Sequence, residues 1–195
     1  MADPANSAIE RDGSLNRLYL AIISRYKDYI EEKEGLSVAE LPTLVTPANH
    51  KVAEKVEEIK AGFLNYDYEA NFIEASGKAF MFVKDEIADT VLPLQFWLTP
   101  EETLTFMLGD HMDKNILLCS MLVCLGNPSS KVLVRLNDGS RKVVTYCEFY
   151  GSMRMFDLED AEREFKTKEE AVSYMGMDSD ASIYEFNNQM YADIS

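Results

Sequence analysis

Few side chains here are equipped for nucleophilic or acid–base work. The chain holds two histidines, His50 and His111, and three cysteines, Cys119, Cys124 and Cys147. His111 stands out by its position. The stretch "FWLTPEETLTFMLGDHMDKNILLCSMLVCLG", Phe96 to Gly126, reads as two helices joined by a polar elbow, Gly109-Asp110-His111. The imidazole enters a helix that is apolar almost all the way round. A helix N-terminus carries partial positive charge and unpaired N–H groups, so it suits a thiolate or a developing oxyanion.

A partner for His111 comes from the strands that follow. "KVLVRLND" and "RKVVTYCEFY" flank Asp138-Gly139, and "MRMFDLE" follows Gly151-Ser152. Both dipeptides signal hairpins, so three strands make an antiparallel meander. With a two-residue loop at Gly151-Ser152, Tyr150 pairs with Met153 and Tyr146 with Asp157. Alternation then puts Val144, Tyr146, Glu148, Met155 and Asp157 on one face. Packing that face on the helix brings Asp157 to His111. A cysteine at the helix start, with histidine and aspartate from adjacent strands, would be a thiol-protease triad.

The elements that position these residues read from the apolar spacing. Leu15, Leu18, Ile22, Tyr26 and Tyr29 predict an amphipathic helix from Ser14 to Gly35, after a loose polar segment, residues 1–13. A second helix begins near Pro47 or Ala48 with Val52, Val56 and Ile59 on one face. A third covers Gly77 to Val91, with Phe80, Val83 and Ile87 inward. Thr99-Pro100-Glu101-Glu102 is a helix start with a capping box, and Asp110 with Asp113 caps the central helix, Asp113–Leu125. Gly126 stops it. A helix follows Thr167, and "SIYEFNN" is a closing strand. Helices first and strands second predict an α+β fold with a buried central helix packed on an antiparallel sheet.

Composition sets outer bounds. Thirty-four acidic against nineteen basic residues give a formal charge of −15, which argues against a nucleic-acid partner. The 47% hydrophobic content supports a real core. No apolar run is long enough to cross a bilayer, so neither a membrane nor a secretory route is expected. Unpaired cysteine spacing implies reduced structural thiols and a cytoplasmic setting.

"WLTPEETL…GDHMDKNILLCSMLVCLG" resembles the pattern of the transglutaminase-like superfamily, which has the papain-like fold. There a Trp-x-x-Pro-x-Glu helix precedes Gly-Asp-Cys-x-Asp and a leucine-rich central helix. "LPTLVTPANHKVAEKVEEI" and "AFMFVKDEI" resemble its leader helices, and "VVTYCEFYGSMRMFDLE" its histidine- and aspartate-bearing strands. The similarity runs from about Leu41 to Asp157. It implies one domain over 14–195: a helical leader 14–108, the central helix and meander 109–160, and a C-terminal helix and strand 161–195. It also implies that Asp157 stands at the triad aspartate, Trp97, Gly109, Asp110 and Asp113 at framework positions, His111 at the nucleophile and Val144 at the catalytic histidine. Neither histidine follows the central helix, so no nucleophile–histidine–aspartate order can be assembled in any register.

The expectation is therefore a pseudoenzyme, with His111, Val144 and Asp157 as remnant triad positions. Trp97, Asp110, His111, Tyr146 and Asp157 would line a site for a protein, peptide or small ligand. Each has a plainer reading: His111 as inert filler, Asp110 and Asp113 as helix caps, Asp157 as an acceptor for Tyr146 or backbone N–H groups, and Trp97 as core. No cofactor is expected. A metal would have a single histidine and carboxylates better explained as caps, so none is expected either. The alternatives are a diverged hydrolase or acyl-transfer enzyme using His111 and Asp157, or a structural subunit of an assembly.

Overall fold

The computed structural model describes residues 16–30, 38–90, 97–137, 140–176 and 181–194. Residues 1–13, expected to be loose, lie outside these, as do the Asp138-Gly139 turn and Gly35. The chain divides into two compact units. In the first, residues 16–30 form a helix, α1. The second holds everything that positions the elbow.

That unit starts with a 3-10 helix, Val38–Leu44, and a helix α2, His50–Lys60, which begins two to three residues later than the sequence suggests. Asn49 sets the start, because its side chain accepts from Lys51 N–H. Helix α3, Tyr68–Asp85, begins nine residues before the expected Gly77. Asp67 caps it by accepting from Ala70 N–H, and the aromatic run Tyr68–Phe72 becomes its first turn. Phe80 and Val83 face inward as expected, whereas the helix stops at Asp85, short of the expected Val91, and buried Ile87 lies just past its end. Next come a short strand β1, Ala88–Asp89, helix α4, Pro100–Phe106, and a strand β2, Leu108–Gly109, which pairs in parallel with β1. Helix α5, His111–Cys124, is the central one.

Six antiparallel strands follow: β3 Lys131–Asn137, β4 Ser140–Phe149, β5 Ser152–Phe156, β6 Glu162–Phe165, then β7 Ser182–Phe186 and β8 Tyr191–Asp193. Helix α6, Lys168–Tyr174, precedes β7 and is capped by Thr167. The sheet order is β6-β5-β4-β3-β7-β8. β3–β4–β5 is the predicted meander, and Asn137 pairs with Ser140 across the first hairpin. β6 was not expected: "EREF" lies in an acidic segment that reads as a solvated face and helix start. It forms a sheet edge, where charged side chains facing water are tolerated and discourage further pairing.

Helices cover both sheet faces. α2, α3 and α5 pack on one face, where Leu117, Leu118, Met121 and Leu122 of α5 meet Cys147, Phe156 and Leu158. α6 packs on the other, where Ala171 and Met175 meet Leu133, Val144, Tyr146, Met153 and Met155. This corrects the expected geometry in two ways. The β4–β5 turn is Tyr150-Gly151, with Phe149 opposite Ser152 and Tyr146 opposite Met155, two residues off the predicted register. A shift of two preserves which side chains share a face. The face carrying Val144 and Tyr146, however, meets α6 and not α5. With both faces covered, alternation alone does not tell which helix each one meets.

Candidate functional site

The elbow is built by its carboxylates. Asp110 accepts from the N–H groups of Met112 at 2.7 Å and Asp113 at 2.9 Å, while Asp113 accepts from Asp110 N–H at 2.9 Å. This reciprocal capping box satisfies three N–H groups and fixes the start of α5. The other Asp113 oxygen accepts from Leu98 N–H at 2.8 Å and ties the strap before α4 to the helix start. Asp113 is fully buried, and burial together with the neighbouring Asp110 charge pushes its carboxyl up to about 7, against the pull of the two N–H bonds and of Arg141. Gly109 allows this closeness: a Cβ there would lie 2.9 Å from Asp113 Cβ. Arg141 Nη2 on β4 closes the outer side, 2.8 Å from Asp110 Oδ2.

A second set of bonds fixes α5 to β4. Asn115 donates to His111 O at 2.7 Å and to Val143 O at 3.3 Å, and Thr145 Oγ1 donates to Asn115 Oδ1 at 2.9 Å. Lys114 is buried, and its ammonium donates to Ile87 O at 2.9 Å and Asp89 Oδ1 at 2.8 Å, just past the end of α3. These polar groups hold a frame. The β4 residues nearest α5's first turns are Arg141, Val143 and Thr145, none of which is a base.

His111 is the first residue of α5 and points outward. Its Nε2 lies 3.5 Å from Glu159 Oε1, with side chains 50% and 59% exposed. Asp157, its expected partner, has other contacts. Asp157 is buried, and its Oδ2 lies 3.0 Å from Lys142 Nζ, itself above the Tyr174 ring of α6 at 4.8 Å. The ammonium neutralises this oxygen but is out of line for a hydrogen bond. The other oxygen accepts from Glu159 N–H at 3.0 Å. The ion-pair contact of His111 is thus with Glu159, while Asp157 engages Lys142 and Glu159 N–H.

Of the remaining expected residues, Val144 lies in the core beneath α6. Tyr146 donates not to Asp157 but to Glu185, a buried carboxylate also held by Lys131 Nζ at 2.9 Å and Lys168 Nζ at 2.6 Å. Burial alone would raise the Glu185 carboxyl; the bonds from Lys168, Tyr146 and Lys131 hold it below its ordinary range. Trp97 is half-buried and immediately precedes Leu98, so the chain beside it reaches the elbow. Asp110 and Asp113 follow the helix-cap reading in full. Sequence reasoning missed Arg141, Glu159 and Asn115. Only Glu159 had a signal, since it lies two residues past Asp157 in "DLE".

No thiol stands in for the nucleophile. Cys119 and Cys147 are buried, and burial raises both, Cys147 to about 12. Half-buried Cys124 is raised by burial as well. Thiols so shifted stay protonated near neutral pH and react slowly. Among the described residues, no group of three or more His, Cys, Asp or Glu is placed to hold a metal ion.

A central helix entered at a capped elbow and packed on an antiparallel sheet defines the transglutaminase-like (papain-like) α+β fold. Among solved structures the chain is similar to Legionella pneumophila LapG, with a TM-score of 0.51 and 15% identity over 80% of this chain and 87% of that one. The EGTA-treated form of LapG gives the same TM-score and identity over 82% and 87%. At this identity the likeness shows the fold alone. No family model matches the chain, and no curated protein matches it in sequence.

Proposed function

We propose that the protein is a non-catalytic transglutaminase-like module that binds a peptide or protein segment at the α5 elbow. One observation carries this reading. Where the family's plan calls for a thiolate and an imidazole, the chain presents two solvent-facing ion pairs, His111–Glu159 and Arg141–Asp110. Acyl transfer needs a nucleophile and a base in hydrogen-bond reach. The charged groups Asp110, Arg141 and Glu159 beside the His111 imidazole instead suit recognition of a polar partner, where charges set specificity and encounter rate. A cytoplasmic setting belongs to the same proposal and is supported by the three free cysteines.

A second reading, acid–base work by His111, is favoured by the approach of Glu159. The two separate experimentally. Peptides selected from a displayed library against the full chain should bind without being cleaved or deamidated. Arg141→Glu should weaken them about tenfold or more, as expected when a charge is reversed in an interface. Binding indifferent to both Arg141→Glu and Glu159→Lys, or turnover of the selected peptides, would overturn the proposal.

A further inference from the structure

The C-terminal end of α5, about 20 Å along the helix from the elbow, carries a surface of a different kind. Rings from α3 and from the β4–β5 turn meet there. Buried Phe72 lies 5.1 Å from Tyr68 and 5.0 Å from Phe149 between ring centroids, and Tyr68 meets Phe149 edge to face at 5.5 Å. Gly126, at φ +112°, makes room for Tyr68, since a Cβ there would lie 3.0 Å from the ring. Tyr150 extends the row: its ring lies 4.5 Å from that of Phe149, and the residue is 74% exposed. It also sits in the left-handed region, φ +49°, which bulky residues rarely adopt and where a hairpin turn of this kind favours Asn. Desolvation, and then the Glu69 and Asp67 carboxylates beside it, raise its hydroxyl above the ordinary phenol value. Elsewhere the chain covers aromatic faces with its own cations, as Lys60 does Tyr66, Lys78 Phe63 and Lys142 Tyr174. Among the described residues no lysine or arginine stands over Tyr68, Phe149 or Tyr150, and none pairs with Asp67 or Glu69; Lys60 and Lys78 pair instead with Glu57 and Glu74.

We infer that this row of rings is a docking surface for an arginine-bearing segment of a partner protein. Three features favour that occupant. First, a guanidinium stacks on aromatic faces and pairs in a planar fork with carboxylates, and both stand together here. Second, α5 ends against Tyr68 at Gly126, and a helix C-terminus carries partial negative charge that favours a cation. Third, a chain with a formal charge of −15 attracts a basic segment and repels an acidic one. A second copy docking through the same rings would set Asp67 and Glu69 against their own counterparts. The surface is separate from the elbow, so a partner held at one does not require the other.

Fluorescence anisotropy of the full chain with a labelled peptide of alternating arginine and glycine, beside its lysine counterpart of equal charge, tests the inference. The arginine peptide is expected to bind saturably and about threefold more tightly than the lysine one. Tyr150→Asn removes the ring and suits the left-handed turn, so it should weaken the arginine peptide about fivefold while the urea midpoint is kept or raised. Glu69→Gln should weaken it about threefold, and Tyr191→Ala, on the edge strand β8, should leave it unchanged. No saturable binding would overturn the inference. So would equal binding of the two peptides that ignores Tyr150→Asn, which is attraction to an acidic chain at large. Self-association abolished by Tyr150→Asn, without peptide binding, would assign the rings to a second copy and also overturn it.

Discussion

The two faces of the sheet handle charge in opposite ways. Beneath α6, Glu185 is 3% exposed and is gripped by Lys131, Lys168 and Tyr146, and the equally hidden Asp157 faces Lys142. At the elbow beside the other face, His111 and Glu159 meet mostly in water, and Arg141 reaches Asp110 at the surface. A buried ion pair is costly to form and very costly to break by removing one partner, whereas an exposed pair contributes little to stability. The α6 face therefore fastens the sheet, whereas the outer ion pairs of the elbow contribute little to stability. A nucleophile–base pair at the elbow would require the reverse, shielded and tightly coupled.

Mutations can break or sharpen that contrast. Glu185→Ala leaves two ammonium groups and a tyrosine hydroxyl without their shared acceptor, and should cost about 3 kcal/mol by urea denaturation. Asp113→Ala strips the acceptors from Leu98 and Asp110 N–H groups in a buried setting, for a loss of about 2 kcal/mol. Thr145→Val removes one neutral bond to Asn115 and should cost about 1 kcal/mol. His111→Ala should change stability by less than about 0.5 kcal/mol, because its one partner is solvent-exposed. If His111→Ala proved as damaging as Glu185→Ala, the contrast would fail.

Asp113 adds a pH signature. Its carboxyl in the folded chain lies near 7, above the ordinary aspartate value, so the folded state holds a proton that the unfolded state has already released. That contribution to stability is complete at acid pH, below the unfolded value, and is lost as pH rises through about 7. Wild type should therefore lose stability between about pH 4 and pH 7, and Asp113→Asn should flatten that part of the curve.

The sequence made much of this legible because its strongest signals are local. The capping boxes Thr99–Glu102 and Asp110–Asp113 lie within one turn of each other, and both form as read. So does the start of α6 at Thr167. What failed depended on distance or on competing caps. Gly77 reads as a helix boundary, but Asp67 begins α3 earlier and the glycine sits inside it. Val144 and Asp157 were placed on a shared face by alternation, which held. Which helix that face meets is a tertiary fact, and Cys147 and Phe156 meet α5 instead. Glu159 reaches His111 only because the turn after β5 brings it there.

The central claim is that the elbow performs no acyl chemistry. Its most direct test is a paired turnover measurement, ammonia release from glutamine peptides and cleavage of a peptide library, in wild type and in His111→Ala. The account predicts background rates in both proteins. Turnover in wild type that disappears in His111→Ala would contradict it, and would make His111–Glu159 a working acid–base pair.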